Sequence, residues 1–327
     1  MASIRQRNGR WQARIIRKGH TDEARTFATR QDAQKWARAV ESSMDRGGYV
    51  SSASAERITL AEIIARYLED VTPTLKGAKD DAIRLRALMR HHMCRLAMTA
   101  VTPSRIAQFR DDRLQQVSAG TVIRELACLS AIINHARREW GVEIENPVSR
   151  VRKPPAPAGR DRVLSEAEEA RLLAALHPTG RRSPWLLPLV LLALQTAMRR
   201  GELLALRWED VNLSTRTARL HDTKNGEGRV VPLSSRAMEV LQALPRSITG
   251  QVIPMTACAA CAAFDRATAR AGIAGLRFHD LRHTAITRMA EKLPNVIELA
   301  AVSGHRSLRM LQRYYHPRPE GLALKIG

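Results

Sequence analysis

Residues 150–162 read RVRKPPAPAGRDR, and no other stretch constrains the fold of this 327-residue chain as strongly. Proline fixes φ, lacks an amide hydrogen and restricts the residue before it, so Pro154, Pro155 and Pro157 exclude a helix or central strand and favour an extended, semi-rigid connector. A chain of this length can bury more than one core, so at least one independent part is expected on each side of the connector. The connector's own basic residues are suited to tracking a phosphate backbone.

On the N-terminal side two regions follow from periodicity. Trp11, Ala13 and Ile15 alternate with Gln12, Arg14 and Ile16, Lys18-Gly19 supplies a turn, and residues 24–27 resume the pattern, which predicts a small sheet. Thr29 with Asp32 heads a helix carrying Ala33, Trp36, Ala37, Val40 and Met44, which stops at Gly47-Gly48. Residues 1–50 are thus expected to be a small sheet plus one helix. Arg5, Arg7, Arg10, Arg14 and Arg17 on its strands are candidate DNA contacts. After a polar link at residues 51–57, a capping box at Thr59 and Glu62 opens a second region, 58–150, with further helices expected at 80–92, 103–116 and 121–140. Residues 151–162 are the linker and 163–327 the last domain. The fold class expected is mostly α, with a small sheet in the last domain and a small sheet plus helix at the N-terminus, assembled as a multi-domain DNA clamp.

The formal charge of +21 exceeds what solubility needs and favours a polyanionic partner, nucleic acid first. No eighteen-residue apolar run is present, which argues against a membrane partner, and the first residues lack the apolar core of a secretory signal, so the cytoplasm is the expected compartment. Four cysteines suit a reducing compartment, and the lone Cys258/Cys261 pair reads as ordinary helix packing rather than a metal or redox site.

The last domain opens with a capping box at Ser165 and Glu168, then an apolar helix expected from Trp185 to about Met198 that ends in Arg199-Arg200-Gly201-Glu202. Strands are expected at 217–220 and 229–233, with Lys224 and the Asn225-Gly226 turn between them. The segment RFHDLRHTAITRMAEKLPNVIELAAVSGHRSLRMLQRYYH, residues 277–316, holds most of the chemistry. His279, Arg282 and His283 fall at i, i+3 and i+4, so a helix would aim them at one oxygen-rich ligand. His305 and Tyr314 follow.

Five pieces in register, TAMRRGELLALRWEDVNL, TKNGEGRVVPL, HDLRH, SGH and RYYH, resemble the tyrosine recombinase or phage integrase family. More loosely, residues 1–50 are similar to the arm-site DNA-binding domains of integrases and 58–150 to their core-binding domain. The resemblance implies that Arg199 and Arg282 hold the scissile phosphate, that Lys224 protonates the leaving 5′ oxygen, that His305 hydrogen-bonds the same phosphate, that His279 is the first histidine of the arginine motif, and that Tyr314 rather than Tyr315 is the nucleophile. Glu202 and His283 match supporting positions. Ala197, where a glycine is expected, and Ser303, where an apolar residue is commoner, depart from the pattern. The apolar tail residues Leu322, Leu324 and Ile326 are candidates for docking on a neighbouring subunit.

The chemistry calls for this set on its own terms. Attack on a phosphodiester builds charge on non-bridging oxygens, which two guanidiniums can stabilise, so no metal and no cofactor is expected. A phenol with a pKa of about 10 needs a base or a cationic setting, and His279 with the two arginines can supply both. The function expected is site-specific recombination through a 3′-phosphotyrosine, by a homo-tetramer on double-stranded attachment sites, with excision or DNA-bending proteins as candidate accessories. Two alternatives remain at this level. One is a DNA invertase of the same family; the other is a non-catalytic regulator in which residues 298–314 form a helix-turn-helix.

Overall fold

The computed structural model describes residues 2–17, 22–45, 56, 58–142, 144–180, 182–221, 228–293 and 295–315. The expected turns at Lys18-Gly19 and Asn225-Gly226, the Gly47-Gly48 stop, nearly all of the 51–57 link, Lys224, His316 and the tail lie outside the described residues. The chain divides into two compact units, Met1–Ala158 and Gly159–Gly327, and the division falls inside the proline-rich stretch. Residues 152–165 form neither helix nor strand.

The first unit contains two separate hydrophobic cores. Strands β1 (Ser3–Arg7), β2 (Arg10–Ile15) and β3 (Glu23–Phe27) form an antiparallel sheet in sequential order. Asn8 and Gly9 both have positive φ, 49° and 77°, the two-residue turn that Asn-Gly favours. Helix α1 (Arg30–Asp45) lays Ala33, Ala37, Val40 and Met44 on Ala13 and Ile15. In the register Ser3↔Arg14, Arg5↔Gln12 and Arg7↔Arg10, strand alternation puts Arg5, Arg7, Arg10 and Arg14 together on the face turned away from that helix. Arg17 lies past the end of β2.

The second core belongs to a helical bundle. Helix α2 (Leu60–Asp70) starts at the expected box, where the Thr59 hydroxyl accepts from the Glu62 amide at 3.2 Å and the Glu62 carboxylate accepts from the Thr59 amide at 2.7 Å. It is followed by α3 (Ala78–Met89), α4 (Pro103–Leu114) and α5 (Ala119–Glu139). Leu60, Ile63, Ile106, Phe109, Leu126, Leu129 and Ile133 fill the interior. The Arg113 guanidinium grips Glu125, buried in α5, through two bonds of 2.9 and 2.7 Å.

The second unit is built around α7 (Leu186–Thr196), whose LLPLVLLALQT sequence is apolar almost all round and therefore buried. Packed about it are α6 (Glu166–Leu176), α8 (Arg200–Ala205), α9 (Ser235–Ala243), α10 (Ala257–Arg270) and α11 (Phe278–Lys292), with α12 (Val296–Ser303) following. The second sheet is β4 (Val211–Asn212), β5 (Thr217–Leu220) and β6 (Arg229–Pro232), antiparallel and in sequential order. A second box sets α6, with Glu168 and Ser165 exchanging bonds of 3.2 and 3.1 Å. Cys258 and Cys261 both lie on α10.

Two expectations change. The apolar helix does not run into Arg199-Arg200: it stops at Ala197, which is left-handed at φ 53°, and the arginines begin α8 instead. The helix-turn-helix alternative also loses its second helix, because α12 is followed only by short 3-10 turns at Leu308–Met310 and Gln312–Tyr314. Gly304 at φ 69° ends α12, and two three-residue turns are too short to serve as a recognition helix. Among the described residues no helix is long and apolar enough to cross a membrane.

Candidate active site

Three chain reversals bring the predicted residues together. At the first, Thr196 bonds back to the Leu192 carbonyl at 2.6 Å and receives the Met198 amide at 3.3 Å, and Ala197 takes a conformation that costs an L-residue roughly 1–2 kcal/mol. That cost is offset by burial. Ala197 is fully buried in a small core with Ala285, Ile286, Leu299 and Leu311, contributed by α11, α12 and the last turn before the tyrosines. The break turns the Ala197 carbonyl toward α11, where it accepts from Nη1 of Arg282.

Arg199 occupies the N-cap of α8. Its amide and its Nη1 each donate at 2.7 Å to the Glu202 carboxylate, and Nη2 donates to the Gly304 carbonyl at 3.4 Å. From β6, Arg229 donates to both oxygens of the same carboxylate at 2.9 and 2.8 Å. Glu202 is 8% exposed. Burial would raise its pKa, but the bonds from Arg229 and from the Arg199 amide hold it at about 2, so the group stays ionised.

Arg282 is 4% exposed, and its Nη2 donates to the Ser303 carbonyl at 2.6 Å. Burial first, and the Arg199 charge second, pull it down to about 10. Arg199, Arg229 and Arg282 thus surround one carboxylate, a local excess of two positive charges. Such an arrangement is costly without an anion and prepared for one.

The second reversal, at Gly304, has its own steric reason. A Cβ there would meet Cζ and Nη1 of Arg229 at 2.8 Å, and the φ of +69° already disfavours a side chain. His305 follows, with Nδ1 2.8 Å from the Ser303 hydroxyl and its ring centroid 6.4 Å from that of Tyr314.

The third reversal carries the tyrosines. The Tyr314 hydroxyl is hydrogen-bonded to Nδ1 of His283, and the two rings stack at 5.8 Å and 28°. Burial raises the phenol pKa, with Arg313 and Arg282 opposing, while burial and the charges of His279 and Arg313 lower that of His283. Both shifts favour a neutral phenol beside a neutral imidazole, and an imidazole whose hydrogen sits on Nε2 presents Nδ1 as an acceptor for the phenol proton. Tyr315 has its hydroxyl committed to the Leu293 carbonyl. His279, one turn before His283, meets it edge-on at 5.1 Å rather than touching the phenol, and burial followed by the Arg282 charge lowers its pKa.

Sequence reasoning names His279 as the candidate base and His283 as a support; the ring in contact with the Tyr314 hydroxyl is that of His283, and His279 meets that ring edge-on. Three further residues escaped it. Arg229 completes the Glu202 cluster. Asp280, 1% exposed, accepts from Arg160 at 3.2 and 2.8 Å and from the Arg277 amide at 2.8 Å; these bonds hold its carboxyl below the usual range although burial acts the other way. Arg160, in turn, pins the end of the proline-rich stretch to the helix that carries His279, Arg282 and His283. The only sequence signal for these is a formal charge of opposite sign, which does not choose among many partners.

Comparison with known proteins agrees with the geometry. The profile of the phage integrase family matches residues 162–320, and that of the phage integrase N-terminal domain matches 56–153. The chain is 42% identical to a shufflon-specific DNA recombinase of Escherichia coli, over 83% of this chain and 72% of that protein. It is 36% identical to an integrase/recombinase of Haemophilus influenzae, over 100% of this chain and 91% of that one. Solved structures share the fold. A Tn1549 transposon integrase in complex with circular intermediate DNA has TM-score 0.67, with 18% identity and coverage of 82% and 99%. A lambda integrase dimer bound to a core site also has TM-score 0.67, with 20% identity and coverage of 97% and 95%. With the two arginines, the histidines and the tyrosine gathered at one place and relatives of this identity across most of its length, the chain belongs to the phage integrase family of tyrosine recombinases.

Proposed function

We propose that Tyr314 attacks a DNA phosphodiester while Arg199 and Arg282 hold its non-bridging oxygens. The observation that carries this reading is the Tyr314 hydroxyl lying on Nδ1 of His283, beside a buried Arg282 that is short of anionic partners. The two carbonyl bonds of Arg282 use two of the five N–H donors of a guanidinium and leave three for a phosphate. In the step, the tyrosine oxygen bonds to phosphorus, the phenol proton passes to His283, and the bond to the 5′ oxygen breaks. Lys224, outside the described residues, protonates that leaving oxygen. His305 and His279 assist at the phosphate. The phosphotyrosine conserves the energy of the broken ester, so a 5′ hydroxyl from a second strand reverses the step without an external energy source.

The remaining parts have matching roles in this reading. Residues 58–150 are a core-binding domain, residues 1–50 an arm-type domain that lays Arg5, Arg7, Arg10 and Arg14 on DNA with Arg17 beside them, and 163–327 the catalytic domain. The active form is a homo-tetramer on two duplex sites, a state named for a lambda integrase on a Holliday junction, whose fold this chain shares at TM-score 0.65. Integration is the first reading. Inversion of a DNA segment is the second, favoured by the name of the shufflon-specific relative.

The test is covalent capture. Duplex selected for binding from a random library, nicked near the scissile position, is incubated with the protein in excess chelator. A protein–DNA adduct that resists denaturation is expected for the wild type and none for Tyr314→Phe. An adduct formed by Tyr314→Phe, or one that needs added metal, overturns the proposal.

A further inference from the structure

Ser303, the last residue of α12, is fully buried. Its Oγ lies 2.6 Å from the Leu299 carbonyl oxygen and 2.8 Å from Nδ1 of His305. Two buried oxygens at the first distance need a hydrogen between them, and a carbonyl has none to give. The hydroxyl therefore spends its only hydrogen on Leu299. What it turns toward His305 is a lone pair, and a lone pair must meet an N–H.

We infer that Ser303 is a positioning residue that fixes His305 as its Nδ1–H tautomer, so that Nε2 is a bare acceptor in the DNA-free protein and His305 must take up a proton to bond a phosphate oxygen. A neutral imidazole has one N–H, and here it is committed to the serine. Nε2 then presents a lone pair, which repels an anionic oxygen. The inference rests on the proposed role of His305 at the phosphate, and it adds a requirement that the family resemblance does not contain.

The surroundings keep that proton away until DNA arrives. Among the described residues, the charged and titratable groups that act on the ring include Arg282 and His283 from α11, Arg199 from α8, Arg229 from β6, and Tyr314. Burial, and then Arg282 and Arg199, push the His305 pKa down to about 4. Two of these cations, Arg199 and Arg229, are already bonded to the Glu202 carboxylate. A scissile phosphate brings the negative charge that the ring lacks, so proton uptake and phosphate engagement are coupled.

Two measurements on the full-length chain test this. In the DNA-free protein labelled with ¹⁵N-histidine, a long-range proton–nitrogen spectrum at neutral pH reads the tautomer, with His305 identified by the signals that His305→Gln removes. A protonated Nδ1 and an unprotonated Nε2 are expected in the wild type, and loss of that preference in Ser303→Ala. A wild-type ring protonated at Nε2 overturns the inference, and this reading needs no variant of Ser303 to fold. Calorimetry of binding to the selected duplex, in buffers of different ionisation enthalpy, then counts protons. The wild type is expected to take up about one proton more than His305→Gln, as one titrating group requires, and Ser303→Ala appreciably less than the wild type. Equal uptake by the wild type and His305→Gln overturns the coupling. Failure of the parent reading is separate, because it shows as an adduct formed by Tyr314→Phe, whereas the tautomer is read without DNA.

Discussion

Replacing Glu202 by Gln tests the electrostatic core of the site. The side chain keeps its shape and loses its charge, leaving Arg199 and Arg229 facing a neutral amide whose NH₂ end must point at one guanidinium. Removing one partner of a buried ion pair costs about 3–5 kcal/mol. The lower end applies here, because the side chains of Arg199 and Arg229 are 24% and 12% exposed. Linkage gives a similar figure: a carboxyl held at about 2 instead of 4.5 contributes roughly 3 kcal/mol at neutral pH. For a unit of this size that is a fall in Tm of about 6–12 °C. The sign with pH is fixed by the depressed value. The contribution is complete above 4.5 and is lost as pH falls through about 2, so the gap between wild type and Glu202→Gln is full at neutral pH and narrows below 4.5. Urea unfolding of both proteins at pH 7 and at pH 3.5 measures it. A gap under about 1 kcal/mol at pH 7, or one that does not narrow in acid, refutes the reasoning.

Gly304→Ala should destabilise by about 2–4 kcal/mol, because a left-handed φ and a Cβ 2.8 Å from a guanidinium already tied to Glu202 leave no easy relaxation; a loss under about 1 kcal/mol in urea unfolding contradicts this. Acid should weaken the fold through its buried histidines as pH falls from neutrality. His305 stays neutral when folded, so its contribution is present above 6.5 and is lost as pH falls toward about 4, with His279 and His283 acting in the same direction. The half-buried His305 ring accounts for roughly 1–2 kcal/mol of that loss, and His305→Gln should flatten the stability profile between pH 7 and pH 4; an unchanged profile rules the effect out.

Reading the sequence alone identifies the elements whose information is local. The capping boxes at Thr59/Glu62 and Ser165/Glu168, the apolar run of α7 and the spacing of His279, Arg282 and His283 along α11 each involve residues within a few positions of one another, where helix geometry fixes which side chains meet. Charge and motif order went further and named the chemistry. Tertiary structure alone decided who touches whom across reversals. Arg282 finds the Ala197 carbonyl 85 positions away, Arg160 finds Asp280 at a separation of 120, and Tyr314 meets His283 rather than His279 across 31. Even Ser303 and His305, two residues apart, acquire their relation only because Gly304 turns left-handed above Arg229, a strand residue from elsewhere in the chain. Periodicity carries the helix that holds a side chain, but the partner of that side chain depends on how separate helices and strands pack, and no local pattern encodes it.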